Sequence, residues 1–153
     1  MLRILNITLP ALLWMSLIFT MSTDIGSGEH TGSILIPLLR WFNPGISDAA
    51  INEAHFYVRK CGHLSEYAAL GLLLLRSIRL WNGATRWSWK IAGLALLGAA
   101  IYAASDEFHQ SFVPSRGPSV RDVVIDTCGA FIGLSLAYLW QLCFRSRREI
   151  ASV

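Results

Sequence analysis

Residues Val123 to Phe144, VVIDTCGAFIGLSLAYLWQLCF, form an apolar run long enough to cross the hydrocarbon core of a bilayer. Such a crossing takes about 20 mostly apolar residues in a helix. Three further runs have this character: Leu2 to Met21, Lys60 to Ile78 and Trp89 to Ser105. In lipid each backbone N–H and C=O must be satisfied within the spanning structure, and for runs of this length a helix does so. Composition agrees, because the 153 residues are 54% hydrophobic and 15% charged, whereas a soluble domain carries about 25% charge. The expected fold is therefore all-α: a polytopic membrane protein with a four-transmembrane-helix bundle, a single domain over residues 1–153, with spans near 2–21, 60–78, 89–105 and 123–144. The first run opens with one basic residue, Arg3, as a signal peptide does. It is long for one and lacks a nearby small-x-small cleavage pattern, so it reads as a retained helix.

The net charge of +3 points to orientation rather than to nucleic acid. Arg76, Arg79, Arg86 and Lys90 fall around the connection between the second and third spans, with no acid among them. Arg145, Arg147 and Arg148 follow the fourth span. By the positive-inside rule both regions are cytoplasmic, which places both termini inside and the 22–59 and 106–122 connections outside. The first outer connection contains ILIPLLRWF, suited to a short helix lying along the interface. Ser47 stands where it can cap a helix that runs on into the second span. Cys61, Cys128 and Cys143 have no metal-like spacing and read as small buried hydrophobes.

On this topology the ionisable residues gather at one depth. Lys60, His63, Glu66 and Tyr67 lie at the outer end of span two. Asp106, Glu107, His109 and Gln110 lie at that of span three, and Ser119, Asp122 and Asp126 at that of span four. Lys60, His63 and Tyr67 share a helix face, with Glu66 one turn from His63. Ser119, Asp122, Asp126, Gly129, Ala130 and Gly133 form a second stripe whose small half permits close helix approach. Val113-Pro114 ends the third helix, and Arg116-Gly117-Pro118 reads as a turn that swings an arginine back over the site. A structural ion-pair lattice would also use such residues. However, ionisable groups inside spans are costly and usually functional. Acids exceed cations unless Arg59 points inward. The surplus then calls for a protonated carboxyl, a charged histidine or a bound cation.

These residues carry a resemblance. RKCGHLSEYAALG followed by DEFHQSFVPSRGPSVRDVVIDTCGAFIG resembles the VanZ-like family of bacterial membrane proteins. Lys60, His63 and Tyr67 fill its K-x-x-H-x-x-x-Y element. Asp106, Glu107, Gln110, Phe112, Pro114, Arg116, Ser119, Asp122, Asp126, Gly129 and Gly133 fill its second, longer element. Members often carry asparagine where Asp126 stands, and an acid where Arg59 stands. The resemblance implies a cell-envelope role at the outer face of the cytoplasmic membrane, linked to resistance to the glycopeptide teicoplanin. It does not supply a reaction.

The leading expectation is an enzyme that hydrolyses or transfers on a lipid-linked or membrane-proximal glycan or phosphate-containing substrate. Glu107 or Asp122 would act as acid or base, with Asp126 beside them, and His63 or His109 would shuttle the proton. Lys60 and Arg116 would hold an anionic group, while Gln110, Tyr67, Ser119, Glu66 and Asp106 would orient it. The alternatives are a binding or shielding protein without turnover and a small transporter. No cofactor is expected. A divalent ion on His63, Glu107, His109, Asp122 and Asp126 stays open, although no dedicated motif supports it. The expected partners are the bilayer and the envelope substrate, with no nucleic acid.

Overall fold

The computed structural model describes residues 2–23, 28–114 and 116–150, without the side chains of 2, 28–30 and 145–150. Arg145, Arg147 and Arg148, part of the orientation argument, therefore have side chains outside the described residues. Among the described residues there are five helices and no strand: α1 (Leu2–Met21), α2 (Gly28–Phe42), α3 (Asp48–Trp81), α4 (Trp89–Gln110) and α5 (Val120–Ile150).

Three of them are long and apolar enough to cross a membrane: Arg3–Met21 of α1, all of α4, and Val120–Phe144 of α5. α3 is not among these, since Lys60, His63, Glu66 and Arg76 dilute its apolar stretch. It is nevertheless the hub of the fold, packing against α1, α2, α4 and α5. With 34 residues it measures about 51 Å, running from the expected Ser47 start through the 60–78 span. Ser47 caps it, accepting a hydrogen bond from the Ala50 N–H at 3.3 Å. At its other end Gly83 takes φ +64°, and the Ala84 N–H reaches the Arg79 carbonyl at 2.9 Å. That left-handed step suits glycine and satisfies a terminal carbonyl.

Arg76 and Arg79, expected near a loop, belong to α3. Arg76 donates to the Asn6 side-chain oxygen at 3.2 Å, and Arg79 donates to the Gln141 side chain at 3.3 Å. They tie α1 and α5 to the lower end of α3. Another expectation is overturned outright: Cys61, Cys128 and Cys143 are free and exposed, not buried. They stand on the outer faces of helices whose inner faces are taken by smaller and flatter contacts.

Those contacts are made by glycine and alanine. α4 buries Ala92, Ala95, Ala99 and Ala103 in one stripe. A Cβ built on Gly129 or Gly133 would collide with the carbonyl oxygens of Leu64 and Ala68, respectively. One on Gly71 would lie 3.0 Å from the Ala130 carbonyl oxygen. α3 and α5 therefore touch backbone to backbone. Leu13, Ile101, Phe131 and Leu136 point outward and exposed, as lipid-facing residues do.

Candidate functional site

A pocket of about 200 Å³ opens at the end of the bundle where α1 stops, α4 stops and α5 starts. α1 supplies Met21, with Ser22 just beyond it. α2 supplies Thr31, and α3 supplies Arg59, His63 and Glu66; Arg116 comes from the α4–α5 connection. His63 and Glu66 face the same space because they are one turn apart on α3.

Arg116 is held in place by the exposed end of α1. Its Nη2 donates to the Met21 carbonyl, and its Nε and Nη2 reach the Thr23 carbonyl at 3.3 and 3.1 Å. Carbonyls at a helix C-terminus lack intrahelical partners and carry partial negative charge, so a guanidinium suits them. Burial, with Arg59 alongside, pulls Arg116 below its ordinary pKa, while Asp106, Glu107 and Glu66 act in the opposite direction. Nη1 makes no hydrogen bond among the described residues.

Behind the pocket wall the acids are engaged pairwise. His63 Nδ1 lies 3.1 Å from Asp126 Oδ1, and the Asp126 side chain is fully buried. Lys60 pairs with Asp122. Ser22 Oγ donates to Asp106 Oδ2 at 2.6 Å, and Gln110 Nε2 donates to the same oxygen at 3.1 Å. Glu107 Oε2 accepts the Ser119 N–H at 2.7 Å, closing the start of α5. Tyr67 is fully buried beside Tyr102. Among the described residues Tyr67 Oη, Asp106 Oδ1, Glu107 Oε1, His109 Nε2 and Asp126 Oδ2 are buried with no hydrogen-bond partner.

The polar residues of α3, α4 and α5 do come together at one end, but in two layers. Of the expected residues His63, Glu66 and Arg116 line the pocket. Lys60, Tyr67, Asp106, Glu107, Gln110, Ser119, Asp122 and Asp126 stand behind or beside it. His109 goes elsewhere: its ring stacks on Phe19 at 4.3 Å between centroids. This follows from geometry, because His109 is two residues from Glu107 and points from a different face of α4. The expected anion grip of Lys60 with Arg116 is also rearranged. Lys60 is spent on Asp122, and its neighbour Arg59 lines the pocket instead. Ser22 and Thr31 had no signal in the sequence, since only packing brings α1 and α2 to this pocket. Among the described residues no three His, Cys, Asp or Glu side chains gather as a metal-ligating group.

Three helices long and apolar enough to cross a membrane, with a buried polar network and a pocket at one end, point to a membrane protein. The chain belongs to the VanZ/LLP1 family, whose pattern matches residues 7–141, from within α1 to late in α5. No curated protein and no solved structure matches it.

Proposed function

We propose that the chain is a membrane-embedded cell-envelope enzyme that binds the phosphate of a lipid-linked substrate between Arg59 and Arg116 and cleaves or transfers it. The observation that carries this reading is the pocket itself. Two guanidiniums face a space that also contains a histidine backed by a buried aspartate. Guanidinium suits the oxygens of phosphate, and a pair offsets more than one negative charge. With Nδ1 engaged by Asp126, the His63 Nε2 is the nitrogen left for substrate. Glu66 is the second proton carrier. One of the two takes the proton of an incoming hydroxyl as its oxygen bonds to phosphorus, and the other protonates the oxygen that departs.

In this reading α3 is the fourth crossing, shielded by α1, α4 and α5, and α2 lies along the outer interface. The pocket faces outward at headgroup depth, with both termini in the cytoplasm. The family's association with resistance supports an envelope role, and a glycopeptide such as teicoplanin would then be met through its lipid-linked target.

Purified protein in liposomes with a polyprenyl-diphosphate-linked glycan should release or transfer a phosphate-containing product. His63→Gln should lower kcat by at least about 100-fold. Arg59→Gln should raise KM about tenfold with a smaller change in kcat. Stoichiometric binding without product by mass spectrometry would instead establish a shielding protein. Full activity of both variants would remove the pocket from the chemistry.

A further inference from the structure

The opposite end of α4 carries a second concave surface, unconnected with the pocket above. α4 has 22 residues, about 33 Å, so the two lie on opposite sides of a bilayer core. A groove of about 340 Å³ runs between α4 and α5 over Gly93, Leu96, Phe131 and Leu134. It adjoins a space of about 250 Å³ lined by Arg86 and Gln141. Trp87, Trp89 and Tyr138 border both. Their rings pack at 5.5, 5.0 and 4.9 Å between centroids, making a collar between an apolar trough and a cationic end.

A cation at that end is unused. Arg86 is exposed and makes no hydrogen bond or ion pair among the described residues. From Arg76 to Lys90 the sequence contains four basic residues and no acid. Gly93 leaves the trough open, because a Cβ there would meet nothing within 4 Å.

We infer that this groove binds a membrane phospholipid with an anionic headgroup, its phosphate at Arg86 and one acyl chain lying between α4 and α5. The trough is apolar and flanked by the exposed lipid-facing residues Leu97 and Leu139, so an occupant arrives from within the bilayer. The Arg86 guanidinium calls for acceptor oxygens, and the all-basic surroundings favour a headgroup without its own cation. The site needs the membrane setting but no step of the chemistry proposed for the pocket.

The test uses the full chain in detergent, titrated with phosphatidylglycerol or phosphatidylcholine of identical chains and read by native mass spectrometry. Wild type should bind phosphatidylglycerol about tenfold more tightly. Arg86→Gln should bring the two lipids to similar affinity. Gly93→Leu should weaken both, since a leucine fills the trough, and a thermal melt close to wild type shows that each variant is folded. Equal affinities in wild type, or wild-type binding by both variants, would overturn the proposal. So would Gly93→Leu converting a dimer to a monomer with lipid binding unchanged, which would give the groove to a second copy.

Discussion

Arg59 and Lys60 are adjacent, carry the same charge and serve different purposes. Successive residues on a helix point about 100° apart, so Arg59 faces the pocket while Lys60 reaches Asp122 on α5. The Lys60 and Asp122 side chains retain only 23% and 12% exposure. Removing one partner therefore strands the other with little water. Lys60→Met should destabilise the protein by about 2–4 kcal/mol, somewhat below the cost for a fully buried pair. Lys60→Met with Asp122→Leu should recover most of that loss, as thermal unfolding in detergent can measure. Glu107 presents another single-residue case. Its carboxylate accepts the Ser119 N–H at the start of α5, so Glu107→Ala should cost about 1–2 kcal/mol, the usual worth of a helix cap. The clustering of ionisable residues in the sequence points instead to a proton-transfer role for Glu107. The same melt, set beside the turnover of Glu107→Gln, separates a capping role from a chemical one.

At the scale of elements the decisive contact is α3 against α5. Gly129 and Gly133 lie under the Leu64 and Ala68 carbonyls, and the His63–Asp126 and Lys60–Asp122 pairs sit in the turns immediately above. A methyl group at either glycine must push two backbones apart. Gly129→Ala should thus lose about 1–3 kcal/mol and separate His63 from Asp126. Gly98→Ala on α4, where the nearest atom is Leu74 Cδ1 at 3.5 Å, should stay within about 1 kcal/mol of wild type and lean towards a gain in helix propensity. Equal losses in both variants would show that the effect is not one of helix approach. The small-residue stripe of α5 was legible in the sequence because its spacing matches a helix face. The start of α3 was legible too, because Ser47 marks a helix that runs on into the second span; apolarity marks only its middle, and packing against α1, α2, α4 and α5 carries the helix across the charged residues.

For the whole molecule, the arrangement puts Asn52 and Asn82 at opposite ends of α3, both exposed. If α3 crosses the bilayer with its start outside, Asn52→Cys in a chain lacking Cys61, Cys128 and Cys143 should react with an impermeant maleimide in intact cells. Asn82→Cys should react only after permeabilisation. Labelling of both from the same side would leave three crossings and undo the proposed sidedness. The membrane character, the helices and the gathering of acids and bases at one end could all be read from the order of residues. These depend on local periodicity, capping and the cost of bare backbone in lipid. Which groups share the pocket could not be read that way. Ser22 meets Asp106 across 84 positions of chain, Arg116 folds onto the end of α1, and Arg59 rather than Lys60 turns inward. Each depends on how one helix packs against another, an arrangement that exists only once the bundle has closed.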